Sequence, residues 1–220
     1  MTDSIINING DNIQTLEILL ITTLISLAPS LIVMMTSFGR YIISLSFLRT
    51  AMGTQQSPPN LVLSGIALFL TLFTMSPVMT EINETAYQPY SQELISQEEF
   101  LERAAIPLKE FMLRNTDSGS MDMFCELAGM DPVSGEEAMD LSMWIIVPAF
   151  MTSELQRAFL IGFLLYLPFV LIDIIVASTL MSMGMVMLPP AMISAPFKLL
   201  LFISVNGWEL IFSTLVRTFR

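Results

Sequence analysis

Asp173 is the residue around which this sequence has to be explained. It stands in the middle of residues 159–190, FLIGFLLYLPFVLIDIIVASTLMSMGMVMLPP, an apolar run long enough to cross a bilayer. A carboxyl group at membrane depth is costly, so it faces a partner or water. Met181, Met183, Met185 and Met187 follow it, with Gly184 among them and Pro189-Pro190 behind. Methionine is flexible and polarizable, and it fills gaps that are irregular or that change. Glycine and a proline pair predict a loop there. An intramembrane acid beside a compliant apolar loop is the chemistry of a conduit or a transporter, not of a soluble enzyme. Two plainer roles stand beside that one. The methionines could be ordinary core filling, although a position between Gly184 and Pro189 weighs against it. Asp173 could be a structural group, satisfied by hydroxyls or backbone across a subunit interface.

Other chemistries are closed off by residue type. The 220 residues include no histidine and one cysteine, Cys125. Histidine-centred catalysis, the common His/Cys zinc sites and an intrachain disulfide are therefore excluded within one chain. No nucleophile–base pair stands out, so the expectation is no enzyme, no cofactor and no metal. Nine Lys+Arg against twenty Asp+Glu give a formal charge of −11, which argues against nucleic acid. Fifteen of the twenty acids lie between Glu81 and Glu154, with only Arg103, Lys109 and Arg114 as counter-charges. This acidic section has no EF-hand spacing and reads as a solvated face.

The elements that must position these groups follow from the apolar runs. The chain is 54% hydrophobic and 13% charged, half the roughly 25% charge of a soluble domain, with a mean hydropathy of +0.69. Residues 15–38 form the first run, with Glu17 near its start and a kink expected at Pro29. Arg40 and Arg49 follow and read as charges of a cytoplasmic loop. Gly53 to Pro58-Pro59 is a turn, and Asn60 is a candidate N-cap. Residues 61–79 are the second run, broken at Pro77. Runs one and two are predicted to form a hairpin, residues 1–79.

Residues 80–140 are a polar helical section. Ser96 heads a helix there, with Glu99 completing a capping box and Pro107 as an interruption. A short helix is expected over 121–127, and TDSGS and GMDPVSGEE read as loops. Residues 141–150 look too short to span, with Trp144 as an interfacial anchor. The segment 152–157 is predicted to cap the third run, which Pro168 kinks. A fourth run carries Lys198 and Glu209, with breaks at Pro196 and Gly207. Runs three and four make a second hairpin, residues 141–220, whose turn is the methionine loop. The fold class is all-α: helical hairpins with kinked helices, assembling into a ring, plus a small polar helical insertion.

The N-terminal segment MTDSIINING has no Lys or Arg, so it lacks the positive start of a secretory signal. The expectation is that the run from Leu16 directs insertion or that a signal has been removed. Four alternating spans also put Arg217 and Arg220 opposite the Arg40/Arg49 side, against the positive-inside bias. Several runs are therefore expected to be buried in protein rather than in lipid.

Three segments carry a family resemblance: FGRYIISLSFLRTAMGTQQSPPNLVLSGIALFLT, SELQRAFLIGFLLYLPFVLIDIIVASTLMSMGMVMLPPAMISAPFKLLLF and NGWELI. They resemble the FliP family of the flagellar type III export gate, whose injectisome counterparts are the SctR proteins. The GTQQSPPN turn points to the flagellar branch. The resemblance implies a homopentamer that joins FliQ, FliR and other export-apparatus components at the inner membrane. It implies a complex largely on the periplasmic side, passing unfolded flagellar proteins. It also implies a gasket around the closed pore at Met185, Val186 and Met187, where family members often carry three methionines. Val186 and the lack of a signal peptide depart from the family pattern. The runner-up from another class is a secondary transporter or channel subunit that uses Asp173 at mid-depth.

Overall fold

A computed structural model describes residues 6–8, 11–13, 15–54, 56–133, 135–185 and 187–219. The fold is all-α apart from a small antiparallel hairpin of β1 (Ile6–Ile8) and β2 (Asp11–Ile13). The first apolar run is α1 (Thr15–Met34), and after a break at 35–37 the stretch that follows it forms a second helix, α2 (Phe38–Met52). Gly53 ends α2 in the left-handed conformation, φ 72°, and its N–H closes on the carbonyl of Thr50 at 3.1 Å. That conformation costs glycine little because it has no Cβ.

The next helix, α3 (Asn60–Ile82), packs back along α2, so the first hairpin is α2 with α3 rather than run one with run two. Pro59, not Asn60, precedes the first turn of α3. The Asn60 side chain instead accepts a hydrogen bond from Arg49 at 2.5 Å, which ties the two ends of the turn together. Pro77 does not end α3. One donor is lost, and the helix runs on through a π turn, Asn83–Tyr87, into α4 (Gln88–Ser91).

The acidic section is α5 (Gln97–Asn115), α6 (Ser118–Leu127) and a 3₁₀ turn over Gly135–Asp140. Ser96 accepts the Glu99 N–H at 3.2 Å, as the capping pattern predicts. Pro107 is a buried part of α5 and does not interrupt it. The TDSGS segment is split. Asp117 caps α6, its Oδ2 accepting the Gly119 N–H at 3.1 Å, and Ser118–Ser120 are already helical.

The central member is α7 (Met143–Ser182), 40 residues in one helix. Ser142 caps it, and it passes through Pro148, residues 152–157 and Pro168 without ending. The predicted short interfacial segment and the restart at 152 are therefore one element. The prolines are tolerated because neighbouring helices pack around them: α2, α5, α6 and α8 (Pro190–Ser204) all lie against α7. Helix α2 runs parallel to it. Arg40 meets Glu154, Phe47 packs on Phe159, and Ala51 reaches the level of Asp173.

Close approach of α2 and α7 depends on Gly162. A Cβ there would stand 2.5 Å from Phe47 Cγ and 2.9 Å from Phe47 Cβ. We expect Gly162→Ala to force Phe47 aside and to cost about 1–3 kcal/mol, the usual range for overpacking. Thermal unfolding of the detergent-purified protein measures it, and an unchanged midpoint would show that the helices do not meet here.

After α8 the chain bends by 65° at Asn206, φ 51°, into α9 (Gly207–Arg217). Gly207 is needed because Phe202 occupies the space of any Cβ. Pro196 lies inside α8 and breaks nothing. Two cores result. One, around Tyr41, Leu45, Leu48, Phe169, Phe202 and Leu215, joins the hairpins. The other, around Met75, Phe111, Met112, Cys125, Ile146 and Phe150, seats the acidic section on the first half of α7. Phe219 packs against both.

Candidate functional site

Three features lie along α7: a buried ion pair, a half-buried ion pair and an exposed methionine tip. The first is at the junction of the cores. Arg40 is fully buried near the start of α2. Its Nε donates to Glu154 Oε2 at 2.8 Å, and its Nη2 pairs with Oε1 of the same carboxylate. Nη1 donates to the Thr218 carbonyl at 3.0 Å and to Thr218 Oγ1 at 2.8 Å. The guanidinium lies 3.5 Å from the centroid of Phe219. Every nitrogen of the cation thus has a partner and one face lies against a ring, which is how a buried charge becomes tolerable. Arg40 does not lie in a loop. It is a helical residue holding the end of the chain, and its charge is already spent on Glu154. Arg49 lies in the last turn of α2 and stitches the Gly53–Pro59 turn through Asn60 and the Pro58 carbonyl.

The second feature is at Asp173. Its Oδ2 is 2.6 Å from Lys198 Nζ, and its Oδ1 accepts from Ser194 Oγ at 2.6 Å. Lys198 is buried and also donates to the Ala51 carbonyl at 3.2 Å. One ammonium therefore joins α7, α8 and the end of α2. Nothing but hydrogen bonding and charge pairing is available to this group. Asp173→Ala should leave Lys198 buried without its anion and cost about 1–3 kcal/mol, while Asp173→Asn keeps the shape and the Ser194 bond and costs less. Assembly and motility of cells carrying each variant read this out. Equal, wild-type behaviour of Asp173→Ala would remove the pair from any structural role.

The third feature is the tip of the α7–α8 hairpin. Met181 is in the last turn of α7, so it is helical rather than looped, and Met183 ends the helix. Gly184 turns the chain with φ 77°, and the Met185 N–H closes on Leu180 O at 3.0 Å. Pro189 and Pro190 start α8. All four methionines are exposed, and Met187 is 96% exposed. Val186, the third residue expected in a gasket, lies outside the described residues. The tip and Asp173 are on one hairpin but do not touch. The sequence singled out Asp173 and Lys198 separately without pairing them. They sit thirteen residues before and twelve after position 186, so folding the hairpin at the methionine turn brings them level. Glu154, Thr218 and Phe219 were not singled out as partners of Arg40. Their contact joins residues 114 and 178 positions apart.

Residues 20–215 match the model of a family described as the FliP family. The chain belongs to the FliP family. It is 48% identical over 206 residues to a flagellar biosynthetic protein FliP of Bacillus subtilis, covering 94% of this chain and 92% of the relative. The protein of the same name from Aquifex aeolicus is 45% identical over 211 residues, covering 96% and 88%. That from Pectobacterium carotovorum is 48% identical over 213 residues, covering 96% and 82%. In this FliP-family chain, two of the described helical stretches are long and apolar enough to cross a membrane, Asn60–Ser91 and Met143–Ser182. The bent pair α8 and α9 makes a third if it counts as one broken span.

Proposed function

We propose that this chain is a non-enzymatic, pore-forming subunit of the flagellar type III protein export gate. It works at the bacterial inner membrane as a homopentamer with FliQ, FliR and other export-apparatus components, much of the complex lying on the periplasmic side. It passes unfolded flagellar proteins, and residues 185–187 close the resting pore. Its family and the names of its relatives support a role in flagellar biosynthesis. The observation that carries the gate reading is the exposed methionine tip at the end of α7. A hairpin turn facing water gains nothing from four bare methionines. A ring of such tips forms an apolar constriction, which stops ions by dewetting and yields to a passing chain.

The length of α7 supports assembly. Forty residues extend ~60 Å, about twice a bilayer core. Much of its length exposes large apolar side chains, among them Phe159, Phe163, Leu167, Leu171 and Ile175. Lipid can cover only part of that, so further copies or partners cover the rest. Against a secondary transporter stands the internal pairing of Asp173, whose charge Lys198 already neutralises. The test is secretion. Cells lacking this chain should fail to export flagellar subunits into the medium, and a plasmid copy should restore export. Normal export without it, together with solute uptake by the purified chain alone, would favour the transporter.

A further inference from the structure

Five of the nine methionines exposed among the described residues stand at one place. Met181 and Met183 end α7, Met185 and Met187 are in the turn, and Met192 is in the first turn of α8. Four of these five are 62% exposed or more, while the four elsewhere lie between 42 and 45%. Much of the other sulfur is shielded. Cys125, the only thiol, is buried in the core that seats the acidic section, with Met75, Met112 and Met121. Met52 is buried in the other core. A small oxidant that meets this chain therefore finds its sulfur at the tip.

A thioether reacts through a sulfur lone pair. The sulfur attacks one oxygen of a peroxide, and the S–O bond forms as the O–O bond breaks. Sulfur gives up two electrons. The second oxygen leaves as hydroxide and takes the proton of the first, so the products are methionine sulfoxide and water. The side chain keeps its length but gains a strong dipole and a hydrogen-bond acceptor. On an isolated surface that change is local. On a tip repeated around a pore it acts on the seal, which excludes water only because the side chains offer it no partner. A ring of sulfoxides offers one acceptor per side chain, so the constriction wets. Tips that meet on an axis cover one another at the axis only, and a conduit that admits an unfolded chain admits peroxide to both faces of the seal.

We infer that Met181, Met183, Met185, Met187 and Met192 form a reversible oxidation site. A peroxide converts them to sulfoxides and opens the resting pore, and methionine sulfoxide reductases close it again. The return step takes two electrons from reductase thiols, which become a disulfide, and releases the oxygen as water. This rests on the gate reading, in which the tips seal the pore.

The test uses the complete gate complex in liposomes loaded with a small dye. Hydrogen peroxide is added in steps, dye release is followed, and peptide mass spectrometry maps the sulfoxides. The tip methionines should oxidise while Met52, Met75, Met112 and Met121 stay reduced. Dye release should then rise about tenfold or more, the change that about 1.4 kcal/mol off a barrier produces. Methionine sulfoxide reductases of both epimer specificities, with a thiol reductant, should return it to the starting level. A variant with Met181→Leu, Met183→Leu, Met185→Leu, Met187→Leu and Met192→Leu, read against its own untreated release, should gain nothing from peroxide. Tip methionines that oxidise no faster than the buried four would overturn the site. So would release that stays high after the reductases have restored the sulfur, or a leucine variant that responds to peroxide as the wild type does. Two outcomes separate the ideas. A complex that is tight before peroxide and still tight with its tips fully oxidised sinks the switch alone. A complex that leaks as freely before peroxide as after it has no seal, and that sinks the gate reading.

Discussion

Glu154→Ala should cost this protein about 3–5 kcal/mol, the largest loss from any single substitution considered for it. The alanine leaves the guanidinium of Arg40 buried between two cores without its anion. Thr218 and the Phe219 ring still touch the cation, but neither carries a charge. Loosening Arg40 should also free residues 218–219, which it holds. Glu154→Gln keeps one hydrogen-bond acceptor and should cost less. Replacing both partners by apolar residues of similar volume, Arg40→Met with Glu154→Leu, should restore much of the loss, because no bare charge remains. Denaturant unfolding of the purified protein, with proteolysis at the C-terminus as a second probe, measures all three. If the double variant is as unstable as Glu154→Ala, the pair is not a simple exchange of desolvation against attraction.

Alanine at Met185, Val186 and Met187 together should open the resting pore while leaving assembly intact. The tip makes no core: Met187 is almost fully exposed and Met185 is exposed. Folding of the hairpin depends instead on Gly184, Pro189 and the Asp173–Lys198 pair further down. Each truncation removes an apolar arm that would otherwise meet its copies across the pore. Small-solute leakage in cells making the variant is the readout, and it should rise well above the wild-type level. A variant that assembles and leaks no more than the wild type would return the methionines to ordinary packing.

What the sequence made legible follows from how far apart the interacting residues are. The α3 start, the Ser96 cap, the Gly53 turn and the α7–α8 hairpin were readable because their determinants lie within a few residues of each other. Prolines misled the reading at 77, 107, 148 and 196. Each costs one hydrogen bond, but packing around a long helix outweighs that loss, so α3, α5, α7 and α8 continue through them. The break at 35–37 carried no proline or glycine to announce it. Arg40 misled for another reason. A lone arginine near the start of an apolar stretch looks like a membrane-edge charge until Glu154 is brought to it by the parallel packing of α2 on α7. No local pattern encodes that register. The Asp173–Lys198 pair was recoverable, because hairpin symmetry about residue 186 places the two groups level.

The central claim is that several copies of this chain surround one pore. Native mass spectrometry of the complex purified through a tag on this chain tests it most directly. The account predicts a stoichiometric assembly of five copies with partner subunits, stable in mild detergent. A monomer that retains function by itself would contradict it.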